Sequence, residues 1–205
     1  MGLLPIVGVN LNTLKLSEIA LRQKSNDIDI DNKHSREVVQ QLVEDMFETL
    51  YASHPVSGVA LAALQVGVLL RVVVVDYTEE REDDDKKILR DHYSYALINP
   101  QFTYKSEETV KGRESCLSYP TLSGEVERSL TVRLHTYDQD FIKRDIEATG
   151  WLARIFQHEL DHLDGILYAD RIGDLNRLNP IDFPYIRRAR ATAESLYGKK
   201  SKKQK

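Results

Sequence analysis

Residues 148–163 hold hydrophobic side chains at a helical period, and that stretch carries two histidines one turn apart. Trp151, Ile155, His158 and His162 fall along one line of such a helix. Leu152, Phe156, Glu159 and Leu163 fall along a neighbouring one. Two polar rings on a face shared with Trp151 and Ile155 need partners if that face is buried. A metal ion is one such partner, because imidazoles at i and i+4 can reach a single ion. Glu159 between them can hold and deprotonate a water there. The competing reading of His158-Glu159-Leu160-Asp161-His162 is a chance match on a surface helix. Gly165 just beyond fits a helix stop.

The rest of the chain places this helix in an α+β protein. Val39, Leu42, Val43, Met46, Phe47 and Leu50 follow a helical period, predicting a helix over 36–51 with Ser35 as its N-cap. Leu70 to Tyr77, with four consecutive valines, reads as a buried strand. Glu79 to Asp91 reads as a solvated loop or hairpin tip, and Asp83-Asp84-Asp85 lacks the ligand spacing of a calcium loop. Ala96 to Asn99 is a short apolar run stopped by Pro100. Residues 101–147 read as several short strands, with Leu130, Val132 and Leu134 alternating. Strands followed by helices in one chain indicate α+β.

Composition narrows the setting. The chain has 205 residues, 41% of them hydrophobic, which suits one globular domain and excludes a disordered chain. We expect a single catalytic domain over 1–198, with a core of about 4–172 and a C-terminal helix over about 182–197. Residues 199–205 form a basic tail, expected to be disordered. One cysteine forbids an internal disulfide and favours a reducing compartment, the cytoplasm. No apolar stretch is long enough for a membrane span, and a net charge of −4 implies no DNA partner for the chain as a whole. The tail holds five lysines and no acid, so residues 1–198 carry −9.

Two histidines do not complete a catalytic metal site; a third ligand is required. No histidine follows His162, so the longer HExxHxxGxxH protease pattern is absent. The acids downstream (Asp164, Asp170, Asp174, Asp182 and Glu194) stand in no ligand-like context. The lone Cys116, in Glu114-Ser115-Cys116-Leu117-Ser118, is either a small buried hydrophobe or a thiolate. Gln65, at the end of Gly58-Val59-Ala60-Leu61-Ala62-Ala63-Leu64-Gln65, is either a satisfied packing residue or a functional amide.

Taken together, these three segments resemble the peptide deformylases, metallo-hydrolases that remove the N-formyl group from nascent polypeptides. The family signatures GxGxAAxQ, EGCLS and HExDH stand here, in order, as GVALAALQ, ESCLS and HELDH. Leu21-Arg22, Ile98-Asn99-Pro100 and Gly124-x-Val126-x-Arg128 also look like the family. The resemblance implies an α+β fold with sheets around a central helix that bears the HExDH motif. It implies metal ligands Cys116, His158 and His162, with Glu159 as general acid/base. It implies that the Gln65 amide and the Leu117 N–H stabilise the oxyanion. For the substrate it implies a first-side-chain pocket at Val59, Trp151 and Ile155, with Gly58, Ala60, Glu114 and Ser115 along the peptide. The metal is then one divalent ion, Fe²⁺ in cells, with Zn²⁺, Ni²⁺ or Co²⁺ as substitutes. The substrates would be N-formylmethionyl peptides, and the basic C-terminus would contact ribosomal RNA.

Ala60 and Ser115 replace motif glycines, and either would be strained if its φ were positive. Trp151 is bulkier than the aliphatic residue common at its position, which predicts a narrower pocket. The rival functions are an HExxH metallopeptidase and a deformylase-like protein with altered preference or no turnover.

Overall fold

The computed structural model describes residues 19–52, 59–83, 86–172 and 177–180. Gly58, the helix expected over 182–197 and the lysine tail lie outside these. A 3₁₀ turn, Ile19–Arg22, leads to α1 (Lys33–Ala52). Then come β1 (Ala60–Ala62), a second 3₁₀ turn (Ala63–Val66), β2 (Val72–Glu82) and β3 (Ile88–Lys105). The chain continues through β4 (Thr109–Cys116), β5 (Tyr119–Ser129), β6 (Thr131–Tyr137) and β7 (Lys143–Thr149). It ends in α2 (Gly150–Leu163), α3 (Tyr168–Ile172) and β8 (Asn179–Pro180).

All pairings between these strands are antiparallel, in one sheet of order β1-β2-β3-β6-β7 and another of order β4-β5-β8. The valine run explains how the larger sheet is covered. Val73 and Val75 pack into a core with α2, while Val72 and Val74 pack into a second core with α1. Burial on both faces removes the polar alternation of a half-exposed strand. α2 packs against strands of both sheets. From Leu152 to Leu163 every residue of it is buried, so the helix is enclosed rather than amphipathic. Gly165 closes it with φ of 72°, and a Cβ there would come within 2.7 Å of the Arg22 carbonyl oxygen. No helix among the described residues is long and apolar enough to cross a membrane.

Several local expectations give way. α1 begins at Lys33, and the Asn32 side chain, not Ser35, caps it by accepting the Ser35 N–H at 3.2 Å. The segment 79–91, read as a solvated loop or hairpin tip, is a hairpin whose strands run further than expected, with only the tip between Glu82 and Ile88 outside the ladder. Cross-strand pairs Glu80–Arg90 and Arg81–Asp91 neutralise four of its charges. Pro100 does not stop β3. The ladder shifts register between Ile98 and Gln101, so the missing N–H is absorbed at an irregularity. Asn99, with φ of 50°, both accepts from and donates to the Ile28 backbone, tying the N-terminal segment to β3.

Candidate metal centre

Three donors converge where β4 meets α2. The Cys116 sulfur lies 3.2 Å from His162 Nε2, and all three donor atoms of Cys116, His158 and His162 lie within 4.8 Å of one another. The three residues are buried. The helical period sets the two rings 5.0 Å apart, and period-two alternation sets Glu114 and Cys116 on the inner face of β4 with Ser115 outside. Glu114 then reaches across to His158 Nδ1 at 2.9 Å, which leaves Nε2 of that ring for the cluster. Tyr168 stacks on the same ring and anchors its own hydroxyl on the Leu122 carbonyl.

The electrostatics favour charged donors. Burial would raise the Cys116 thiol, but the facing His162 and His158 outweigh it and hold the thiol well below its usual range. Burial would also raise Glu114, yet hydrogen bonds from Arg128 and His158 hold its carboxyl far below the ordinary value. Glu159 goes the other way: burial raises it, and the neighbouring histidines only partly compensate. Its Oε2 has no hydrogen-bond partner among the described residues, and neither has His162 Nδ1. A thiolate and two imidazoles beside an orphaned carboxylate oxygen form a donor set suited to a divalent transition metal.

Gln65 joins the cluster from the second 3₁₀ turn. Its Oε1 accepts the Ala62 N–H at 2.8 Å, which orients the amide. Its Nε2 then faces Cys116 Sγ at 3.4 Å and Ser118 Oγ at 3.2 Å. Leu117 occupies the turn directly after Cys116. Ala60 and Ser115 both have negative φ, so neither carries the strain that a positive φ would bring. Ala60 is buried in the α2-side core and Ser115 is exposed. Ile155 is buried, but Trp151 is 42% exposed, so the expected line of four side chains on one buried face does not hold at its first member. Glu114, expected along the peptide, turns its side chain inward to Arg128, Arg154 and His158; only its backbone can face a ligand.

Sequence reasoning missed the shell behind these groups. Arg128 pairs bidentately with Glu114 and also with Asp161, which in turn holds Arg171. Arg154 reaches Glu114 at 2.8 Å. The signal was present as buried charges within an apolar helix, since such groups must be paired.

The sequence model of the family described as polypeptide deformylase matches residues 11–178. The chain belongs to the peptide deformylase family. The peptide deformylase of Wolbachia sp. subsp. Drosophila simulans strain wRi is 38% identical over 175 residues, which is 85% of this chain and 90% of the relative. Among solved structures, the class I type b peptide deformylase of Acinetobacter baumannii bound to Met-Ala-Ser superposes with a TM-score of 0.68. It is 29% identical and covers 81% of this chain and all of the other. The Synechococcus elongatus peptide deformylase in complex with actinonin gives 0.66 at 29% identity, covering 82% of this chain and 81% of that one. The α+β architecture with antiparallel sheets is the one these deformylases share. The chain is thus a metal-dependent hydrolase that acts in N-terminal processing.

Proposed function

We propose that this deformylase binds one divalent metal ion through Cys116, His158 and His162 and releases formate from N-formylmethionyl peptides. The observation that carries the reading is the Cys116 sulfur 3.2 Å from His162 Nε2, with the Gln65 amide turned onto that sulfur. A bound divalent ion supplies Lewis acidity toward water and the formyl carbonyl. Glu159 takes the proton of the attacking water and passes it to the leaving amine; its raised affinity for a proton suits both steps. As the formyl carbon becomes tetrahedral, Gln65 Nε2 and the Leu117 N–H donate to its oxygen. The C–N bond then breaks, giving formate and a free N-terminus.

The peptide enters as an added strand. β1 and β4 are both edge strands of their sheets, and they present the backbones of Val59, Ala60, Glu114 and Ser115. Val59, Trp151 and Ile155 wall the pocket for the methionine side chain, and Gly58 precedes them. The metal in cells is Fe²⁺, and Zn²⁺, Ni²⁺ or Co²⁺ can replace it. We assign one catalytic domain to residues 1–198, with α2 and its HExDH motif at the centre. The basic tail is read as a ribosomal RNA contact and the compartment as the cytoplasm.

The test is formate release from a formyl-Met peptide by anaerobically prepared, Fe²⁺-loaded protein, with metal analysis of the same sample. A stoichiometric metal and release of formate are expected. Metal without formate would favour a member of the fold that binds but does not turn over.

A further inference from the structure

A two-residue turn, Leu117-Ser118, joins β4 to β5, because Cys116 already pairs with Tyr119. Leu117 supplies the backbone N–H that the proposed reaction uses. Ser118 has no part in that reaction, yet it is only 2% exposed. Its Oγ accepts a hydrogen from Gln65 Nε2 at 3.2 Å. The turn between the strands thus carries a backbone donor on one residue and, on the next, a hydroxyl that holds the side-chain donor.

The Gln65 amide is buried and engaged at every polar atom. Oε1 accepts the Ala62 N–H at 2.8 Å, and Nε2 has two hydrogens to place, with Ser118 Oγ at 3.2 Å and Cys116 Sγ at 3.4 Å. An oxyanion beside Nε2 makes a third acceptor for two hydrogens, so one existing contact must yield. Sulfur accepts weakly and an anionic oxygen strongly, so the hydrogen facing the sulfur is the one that turns. Ser118 keeps the other. It thereby ties the amide, which belongs to the second 3₁₀ turn, to the hairpin turn that carries the Leu117 N–H. Without the hydroxyl a buried N–H loses its partner, and the last torsion of the glutamine, intrinsically broad, is held from one side only.

We infer that Ser118 is a positioning residue for the oxyanion donors: it fixes the Gln65 amide to the Leu117 turn, so that one hydrogen of Nε2 stays aimed at the reacting oxygen. This rests on the reading of Gln65 and Leu117 as those donors. Removing a whole donor of this kind costs about 10²–10³ in rate, so losing its alignment alone costs less, about tenfold. The loss falls on kcat and leaves KM unchanged, because the charge that the amide meets arises only in the transition state.

The experiment is a double-mutant cycle in formate release from a formyl-Met tripeptide. It compares wild type, Ser118→Ala, Gln65→Ala and the double variant, with metal content measured on each sample. Ser118→Ala should lower kcat about tenfold, leave KM within about twofold and retain a stoichiometric metal. In the Gln65→Ala background the same change should cost less than about twofold, since no amide is left to position. A serine that merely supports the fold costs the same factor in both backgrounds, and that result overturns the inference. So does a kcat of Ser118→Ala within about twofold of wild type, a loss confined to KM, or loss of the metal. Should Gln65→Ala turn over too slowly to measure, the kcat-against-KM split and the metal content of Ser118→Ala decide. Ser118→Gly, which also lacks the hydroxyl, stands in if the alanine variant does not fold. A wild type that releases no formate overturns the deformylase reading itself, and this inference with it.

Discussion

Glu114 and Cys116 stand two residues apart on one strand, and their side chains do opposite work on the same helix. The cysteine faces both histidines, while the glutamate holds one of them in place. Replacing Cys116 by serine removes the soft donor, so metal affinity and formate release should fall together, read by metal analysis and assay on one sample. An HExxH peptidase site would be indifferent to that change. Glu159→Gln keeps size and hydrogen-bonding capacity but cannot accept a proton. It should retain the metal and lose about 10²–10⁴ in kcat; undiminished turnover would reject the assignment. Glu114 sets an acid limit on stability. Its folded-state carboxyl titrates far below the 4.5 of an unperturbed glutamate, because Arg128 and His158 outweigh burial. Its contribution is therefore full above that value and is lost as pH falls below it. Urea midpoints should hold steady above about pH 5 and drop in more acid solution, and Glu114→Gln should flatten that drop. His158, His162, Cys116 and Gln65 were legible because their motifs are local and ordered. Arg154 and Arg171 were not, because their partners lie 40 and 10 residues away with no spacing rule to announce them, and Arg128, marked within Gly124-x-Val126-x-Arg128, carried no sign of Asp161 33 residues on.

At the level of elements, periodicity found α1, α2 and the valine strand, and it failed where tertiary contacts overrode local signals. Pro100 reads as a stop, yet β3 runs through it because the ladder is already irregular there. The charged segment after Tyr77 reads as a loop or hairpin tip, and opposite charges across the hairpin carry the paired strands further into it than composition suggests. The end of α2 shows how far such contacts reach. Arg71, with a side chain only 10% exposed, pairs with Asp164 just past the helix at 2.8 Å and donates to the Pro100 carbonyl. Its own N–H and C=O bond Asn26 and Asn99, so one residue joins the N-terminal segment, β3 and the helix end. Arg71→Leu should cost about 1–3 kcal/mol, the range for leaving buried polar partners unmatched. Equilibrium urea unfolding of the two proteins would measure it, and a difference under 0.5 kcal/mol, the usual range for surface changes, would reduce Arg71 to a surface ion pair.

Across the whole molecule, charge is distributed unevenly along the chain. Residues 1–198 carry −9, and the last seven carry five lysines. Electrostatic attachment to RNA through that end predicts that deleting residues 198–205 weakens ribosome binding, most visibly at low salt, in co-sedimentation over a salt series. Equal binding at every salt concentration would remove the tail from the interface. The acidic excess also bears on a feature at the far side of the larger sheet. Among the described residues, β2 and β3 pair only with each other from Tyr77–Tyr93 out to Glu82–Ile88. Edges of this kind invite a second copy to add on as a further strand. Here the ribbon carries a charged residue at every position from Glu79 to Glu82, with Arg81 among three glutamates, and an approaching copy would have to strip these of water before pairing.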